Sequence, residues 1–171
     1  MSEGAPVSEE PLEPERFRQA MGRLVAGVTV LTTFADGHDH AMTADTLTSV
    51  SLDPLLVLVC AENETRWRDA VTEAGVFGVS VLAADQRPLS GWFATRGRPL
   101  HGQLDRAPHH RGPVTGVALL DGALMHLECR ATDIHPAGDH AIVVAQVVSI
   151  ALPDTVGPAL VHFRGRYGSI A

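Results

Sequence analysis

The chain has 171 residues and a mass of 18.2 kDa, with a formal net charge of −7 and a pI near 5.6. This length is typical of one domain that buries its own core, and an acidic chain lacks the basic surface that a nucleic-acid partner usually requires. No apolar run reaches the roughly 20 residues of a membrane span, and the first residues lack the positive segment and apolar core of a signal peptide.

The N-terminal segment differs in composition from the rest of the chain. Its first 14 residues, MSEGAPVSEEPLEP, are acidic, contain proline and offer little to bury. We therefore expect a disordered tail, followed by one domain over residues 15–171. Apolar residues then recur at helical spacing between Phe17 and Leu24, which predicts a short amphipathic helix that ends near Gly27.

The next segments are predicted to form strands. Val28–Ala35 is rich in β-branched residues, and Asp36-Gly37 predicts a hairpin turn that returns the chain along His40–Asp45. Further on, Asp53-Pro54 predicts another turn. The continuous apolar run Leu55–Cys60 after it predicts a strand that is buried on both faces.

A helix is predicted after this apolar strand. Asn63 or Thr65 can cap it, it runs to about Ala74, and Gly75 stops it. Val76–Leu82 then predicts another buried strand.

A second helix and a long loop follow. Asp85 is expected to cap the helix, with Pro88 in its first turn and Phe93 on its inner face. From Arg96 to Gly116 the sequence shows no helical or strand periodicity and is rich in Gly, Pro, His and Arg. A compact domain seldom carries a loop of about 20 residues without a functional reason.

The last part of the chain is dominated by strands joined by turns. Strands are predicted over Val117–Leu120, Ala123–His135, His140–Leu152 and Ala159–Phe163, with turns at Asp121-Gly122 and Gly138-Asp139. The total is about eight strands and three short helices, mostly in hairpin connections. This pattern favours a mainly β fold, an antiparallel barrel with helices at its rim, over a doubly wound parallel sheet.

The run from Met42 to Pro54 is the strongest candidate for a binding segment. Seven of its thirteen residues carry short hydrogen-bonding side chains, while Leu47, Val50 and Leu52 can anchor it to the interior. Short hydroxyls suit the polar edge of a ligand because they donate and accept at close range and leave the backbone accessible. The alternative is a solvated edge strand, where Thr and Ser are also common.

Two further polar clusters lie at predicted strand ends. Asn63–Arg66 opens a helix, where free N–H groups, the helix dipole, a hydroxyl and a guanidinium could hold an anion; the alternative is simple capping. Gly138-Asp139-His140 could place an ionisable histidine at a ligand, or it could be an ordinary hairpin with its histidine bonded to backbone.

The remaining reactive residues predict no metal or thiol chemistry. His38 and His40, and likewise His109-His110, lack further ligands at suitable spacing, so we expect solvated loop histidines rather than a metal site. Cys60 and Cys129 lie in apolar segments and are expected to be buried free thiols, which indicates a cytoplasmic setting. A thiol at Cys60 would be inert.

Taken together, the motifs resemble the short flavin reductase family. The matching segments are GVTVLTT (27–33), MTADTLTSVSLDP (42–54), LLVLVC (55–60), FGVSVLAADQ (77–86), LDGALMHLEC (120–129), GDHAIVVAQV (138–147) and FRGRYG (163–168). They occur in order over residues 16–168. The resemblance implies the FMN-binding split-barrel fold and a homodimer with two flavin sites near the subunit interface.

The same resemblance implies a function and a set of site residues. It implies hydride transfer from NADH, or NADPH, to FMN or FAD, with the reduced flavin supplied to a separate monooxygenase. His140 would border the nicotinamide as the catalytic residue and donate a hydrogen bond to it, and Tyr167 would lie on the same side. The remaining flavin-binding positions would be Thr43, Ala44, Asp45, Thr46, Ser49, Val50, Ser51, Cys60, Ala61, Thr65, Arg66 and Phe93, with Thr65 and Arg66 near the phosphate.

The chain departs from the family pattern at two places that concern the site. Asp45-Thr46 stands where the family usually has Asn-Ser, and an ionised carboxylate accepts hydrogen bonds but cannot donate them. Arg98-Pro99-Leu100 stands where an Arg-Phe pair is usual in the long loop. Two other functions stay open: a split-barrel oxidase that holds its flavin tightly, and a flavin-binding module without catalysis.

Overall fold

The computed structural model describes residues 12–153 and 157–171. Its helices are α1 (Pro14–Met21), α2 (Arg66–Ala74) and α3 (Arg87–Ala94), the last preceded by a 3₁₀ turn over Ala84–Gln86. Within the described residues, no helix combines the length and apolar character needed to cross a membrane. Most of the predicted tail, residues 1–11, lies outside the described ranges, and Pro14, the last residue of the predicted tail, begins α1.

Twelve strands account for about half of the described residues. They are β1 (Ala26–Gly27), β2 (Thr29–Ala35), β3 (His38–Ala44), β4 (Thr48–Leu52), β5 (Leu55–Glu62), β6 (Val76–Val81), β7 (His109–Arg111), β8 (Ala118–Leu120), β9 (Met125–Ala137), β10 (His140–Ala151), β11 (Ala159–Phe163) and β12 (Arg166–Ile170). The eight predicted strands correspond to β2, β3, β5, β6 and β8 to β11. Strands β1, β7 and β12 were not predicted, and β4 was expected only as the alternative to a binding segment.

The strands form three antiparallel sheets. Seven of them pair in the order β3-β2-β6-β9-β10-β5-β4, β1-β11-β12 form a second sheet, and β7-β8 form a third. The large sheet curls so that β3 and β4, which follow one another in the chain, lie at its two edges without closing it. The predicted class, a mainly β antiparallel split barrel with short helices, is confirmed.

Two clusters of buried side chains form the core. One fills the large sheet beneath α2, where the rings of Trp67 and Phe77 meet edge to face at 5.6 Å. The other lies between the sheet and α3 and centres on Phe93, Leu82 and Leu160. Burial of these apolar side chains holds α2 and α3 against the strands that carry the polar segments.

Several local predictions are confirmed at the level of single residues. Asp36 and Gly37 both have positive φ, as a two-residue turn between β2 and β3 requires. The Thr65 side chain caps α2 by accepting a hydrogen bond from Arg68 N, and Gly75 ends the helix in the left-handed conformation.

Helices α1 and α3 differ from the predictions at their ends. The predicted helix up to Gly27 ends at Met21, because Ala26-Gly27 pairs with β11 and Gly22 O accepts a hydrogen bond from Arg164 N. The predicted cap at Asp85 is also wrong. Gln86 precedes α3 instead, and its side chain accepts from Ala83 N and donates to Asp121 O.

The prediction that Leu55–Cys60 is buried on both faces is wrong for the single chain. Along β5 only alternate residues are buried, and β10 shows the same alternation from Ala141 to Ala145. The inward residues contact the core, whereas no element of this chain covers the outward ones completely.

The long loop after α3 is anchored to the sheet by a buried carboxylate. Glu128 on β9 accepts hydrogen bonds from Val114 N at 3.1 Å, Thr115 N at 2.6 Å and Thr115 Oγ1 at 2.7 Å. Arg111 adds two bonds to Asp39, each of 2.7 Å. The loop is therefore fixed at its far end, and residues 94–98 remain at the rim of the barrel.

Candidate active site

A cavity of about 410 Å³ opens between β3, the start of α2 and the loop that follows α3. Nine of the predicted site residues line it: Thr43, Ala44, Asp45, Thr46, Cys60, Thr65, Arg66, Phe93 and His140. They come from five separate segments of the chain, and only the curled sheet brings them together.

The other five predicted residues lie elsewhere. Ser49, Val50 and Ser51 are on the edge strand β4, outside the cavity wall, and Ala61 points into the core with its side chain fully buried. Tyr167 lines a shallow depression on β12 instead. Their roles in binding stay predictions.

The link between β3 and β4 is fixed by the side chain of Thr46. Its Oγ1 donates to Cys60 O at 3.1 Å and accepts from Cys60 N at 2.9 Å, so it pairs with β5 as a backbone group would. The hydroxyl is therefore used within the protein. The adjacent Asp45 carboxylate is exposed and lies 3.2 Å from Nδ1 of His162.

Tyr167 is connected to the cavity through one intervening residue. Thr43 Oγ1 donates to Ser90 O at 2.7 Å, and Ser90 Oγ donates to the Tyr167 hydroxyl at 2.8 Å. The two predicted residues are thus linked through α3, although only Thr43 lines the cavity.

Two predicted polar clusters meet at the mouth of the cavity. The Asn63 side chain donates to Gly138 O at 3.0 Å, and Asn63 N donates to Asp139 O at the same distance. These bonds join the turn before β10 to the segment before α2. His140 and the N-terminus of α2 therefore belong to one wall, which the sequence could not indicate.

His140 is held by the carboxylate beside it. Its Nδ1 lies 2.7 Å from Asp139 Oδ1, and because a carboxylate only accepts, Nδ1 carries the proton. The hydrogen bond from His140, and then its charge, lower the pKa of Asp139. The alternative prediction, in which His140 bonds to the backbone, is wrong, because its partner is the Asp139 side chain.

Arg98 joins the end of α3 to β3 at the rim of the cavity. Its guanidinium donates to the carbonyls of Phe93 and Thr95 and, at 2.6 Å, to Ala41 O on β3. Arg66 Nη2 in turn donates to Arg98 O. Burial, and secondarily the charge of Arg66, lower the pKa of Arg98.

Twelve lining residues were not predicted. They are His40, Ala41, Met42, Glu62, Glu64, Trp67, Ala94, Thr95, Arg96, Gly97, Arg98 and Gln103. Two patterns pointed toward some of them: the unusual length of the loop after α3, and the position of Met42 within the polar run. The expectation of a solvated loop for His40 is wrong, because it lies within β3 and is 7% exposed.

The cysteines are free, as predicted. Cys60 lines the cavity, and burial raises the pKa of its thiol. Burial, with the nearby charge of Glu128, raises the pKa of Cys129 to about 12. Neither thiol is a nucleophile near neutral pH. In the described ranges, His, Cys, Asp and Glu side chains form no group of three suited to a metal ion.

Comparisons with known proteins agree with this architecture. The family model for the flavin reductase like domain matches residues 21–171. An NADH-dependent flavin reductase of Rhodococcus sp is 40% identical, over 99% of this chain and 94% of its own.

Two solved structures share the fold. BorF, the flavin reductase component of a bacterial two-component tryptophan halogenase, has a TM-score of 0.87 and 40% identity, covering 92% of this chain and 98% of its own. The NADH:FAD oxidoreductase SgcE6 of Streptomyces globisporus has a TM-score of 0.88 and 32% identity, covering 97% of this chain and 99% of its own. The chain therefore belongs to the flavin reductase family.

Proposed function

We propose that this protein is an NADH-dependent reductase of FMN or FAD that binds both nucleotides in the cavity beside β3 and supplies reduced flavin to a separate monooxygenase. The observation that carries the proposal is the convergence of the polar link after β3, the N-terminus of α2 and His140 on one cavity, in a chain of the flavin reductase family.

The flavin would lie against the link between β3 and β4. Ala44 and the short side chains of Thr43 and Thr46 leave room for a planar ring near the backbone, and Phe93 gives the cavity an apolar floor. Because Asp45 is exposed and can only accept hydrogen bonds, it suits an N–H group of the ligand. When both nucleotides are bound, the nicotinamide supplies the hydride and the flavin accepts it, so no acid–base pair is required.

The phosphate end would lie at the start of α2. The first N–H groups of a helix have no acceptor within it, and its dipole favours an anion. Thr65, whose hydroxyl donates to Glu62 O at 2.9 Å and caps the helix, and the exposed side chain of Arg66 line the cavity at this point. These groups fit the phosphate of a flavin nucleotide better than the neutral end of riboflavin.

The direct test is NADH oxidation with and without added flavin. We expect purified protein to be nearly colourless and its rate to saturate as FMN or FAD is added, since flavin would be a diffusible substrate. The same assay with NADPH measures the preference for the nicotinamide nucleotide. Yellow protein that turns over fully without added flavin would contradict the diffusible substrate and favour the tightly bound alternative.

We also propose that two copies associate through exposed apolar side chains of β4, β5 and β10. They include Val50, Leu55, Ile150 and Leu52, the last at 84% exposure. Such a patch is typical of an interface. The two free thiols also support a reducing, cytoplasmic setting.

Light scattering at micromolar concentration is expected to give about twice 18.2 kDa. The double variant Leu52→Lys with Leu55→Lys should shift this mass toward that of the monomer, because it buries two charges at the contact. Val114→Lys, at an exposed apolar position outside β4, β5 and β10, is the control. An unchanged mass in the double variant, or a fully active monomer in the wild type, would contradict the proposal.

Replacing Arg66 by alanine should weaken FMN binding roughly 10-fold, the low end for a hydrogen bond to a charged group, because its side chain is exposed. Riboflavin binding should change little. Arg68→Ala is the matched control, as Arg68 lies on the same helix, pairs with Asp69 and does not line the cavity. An equal loss with both flavins would indicate that Arg66 acts structurally, through its bond to Arg98 O.

A further inference from the structure

Three side chains on the cavity wall bury nitrogen atoms that have no hydrogen-bond partner in the protein. They are His40 at both ring nitrogens, Trp67 at Nε1 and Arg98 at Nε. His40 is 7% exposed and Trp67 is 2% exposed. Among the described residues only Arg68 has another such atom, and it lies outside the cavity. Buried polar groups are nearly always paired, so three unpaired side chains at one cavity leave donors for a bound ligand or an ordered water to satisfy.

The alternation of β3 places His40 beside the α2 packing. His40, Met42 and Ala44 share one face of the strand, and Met42 and Ala44 pack in the cluster that contains Trp67. The two unpaired rings therefore belong to the same side of the cavity, next to the first turn of α2.

The chemistry of these groups selects the kind of ligand atom. Trp67 Nε1 and Arg98 Nε only donate, and an imidazole always has at least one donor nitrogen. The ligand must therefore present several acceptors. Positive charge is also present at this wall, since Arg66 and Arg98 lie close enough to interact. Three carboxylates line the same cavity: Glu62 is paired with Arg96 at 2.6 Å, Asp45 lies 3.2 Å from His162 Nδ1, and Glu64 is the third. A terminal phosphate or a pyrophosphate presents several anionic acceptor oxygens and supplies the acceptors that these donors need.

We propose that His40 and Trp67 bind a phosphate group of the nucleotide in this cavity, in addition to Thr65 and Arg66. The inference rests on the proposed function and extends it, because it assigns two buried residues that set the preference for a phosphorylated ligand. The phosphate can belong to the flavin or to the nicotinamide dinucleotide, and both sources are tested separately.

The experiment measures dissociation constants by calorimetry for FMN, riboflavin and NAD⁺ with wild type, His40→Leu and His38→Leu. His38 is the matched control: it lies on the same face of β3, meets the ring of His101 edge to face and does not line the cavity. His40→Leu should weaken FMN binding by about 10- to 100-fold, the loss expected for a hydrogen bond to a charged group. Riboflavin binding should stay within about twofold, since it lacks the phosphate.

The outcomes separate the two sources. A loss confined to FMN assigns the phosphate to the flavin, and a loss confined to NAD⁺ assigns it to the dinucleotide. Unchanged binding of both ligands, or equal losses for FMN and riboflavin, overturns the proposal. His40→Gln, which keeps a donor, should recover part of the affinity that His40→Leu loses.

A second variant decides the matter if His40→Leu fails to fold. Trp67→Phe removes the Nε1 donor and keeps an aromatic ring against Phe77. It should weaken FMN, or NAD⁺, by about 5- to 10-fold relative to riboflavin, the value for one donor. An unchanged ratio overturns the proposal. Wild-type NADH oxidation with riboflavin tests the proposed function separately, because that reaction needs no flavin phosphate.

Discussion

Replacing His140 by alanine is expected to lower kcat/KM for NADH by roughly 5- to 150-fold, the effect of leaving one polar ligand group unpaired. Flavin binding and the melting temperature should remain nearly constant, because the side chain is 39% exposed and bonds only to the exposed Asp139. Steady-state kinetics with NADH varied at saturating flavin measure the effect.

The tautomer of His140 specifies how it would act. With Nδ1 donating to Asp139, the neutral ring offers Nε2 as an acceptor, suited to an amide or ribose donor of the nicotinamide nucleotide. This role positions the nucleotide and transfers no proton. Asp139→Ala, which removes the partner of Nδ1, should therefore raise KM for NADH and leave the flavin constant unchanged.

A matched control for His140 lies on the neighbouring strand. His135 on β9 is exposed and outside the cavity wall, and it pairs with Ile142 through the backbone. His135→Ala should leave kcat/KM for NADH unchanged. A His140→Ala variant that loses stability but keeps the wild-type constant for NADH would mean that His140 is structural and that the nicotinamide binds elsewhere.

Glu128→Ala is expected to destabilise the protein by roughly 2–4 kcal/mol, because the variant leaves several partly buried donors of the long loop unpaired. For a domain of this size the loss corresponds to about 5–15 °C in Tm. The donors are the backbone N–H groups of Val114 and Thr115 and the Thr115 hydroxyl. Calorimetric melting near neutral pH measures the change.

The stabilisation by Glu128 should depend on pH. Burial raises the pKa of Glu128, but the hydrogen bonds from Thr115 and Val114 outweigh burial and hold the pKa below its ordinary value. A depressed folded pKa means that the contribution is complete above the unfolded value of about 4.3. It is then lost as the pH falls through the lower folded value.

The control for Glu128 is the isosteric amide. Glu128→Gln retains one acceptor oxygen and removes the charge, so it should lose less stability at pH 7 than Glu128→Ala and show less acid sensitivity than the wild type. A Glu128→Gln variant whose Tm falls with acid as steeply as that of the wild type would show that other carboxylates dominate this pH range.

Local chemistry in the sequence determined the elements and the family. The Asp36-Gly37 pair fixed the first hairpin because both residues tolerate positive φ, and Thr65 with Gly75 fixed the ends of α2. The polar run after Met42, read with the Gly-Asp-His motif, indicated the flavin reductase family, which the family model and the relatives confirm.

Only the tertiary structure shows which of these residues lie at the cavity. His38 and His40 are two residues apart with similar neighbours in sequence, yet only His40 is buried at the cavity, because α2 packs over that part of β3. Arg98 lies in a segment without periodicity, and its role depends on carbonyls from α3 and β3. Sequence patterns report the environment of neighbours in the chain, whereas these sites depend on long-range packing.

The two faces of β5 also show what the sequence predicts and what only the tertiary structure decides. The continuous apolar run Leu55–Cys60 correctly predicted a strand, but it did not indicate which residues would cover each face. One face lies on the core of this chain, and the other faces outward because the curled sheet does not close on itself. Hydrophobicity alone predicted that both faces would be removed from water, while only the tertiary structure showed that this chain covers one of them.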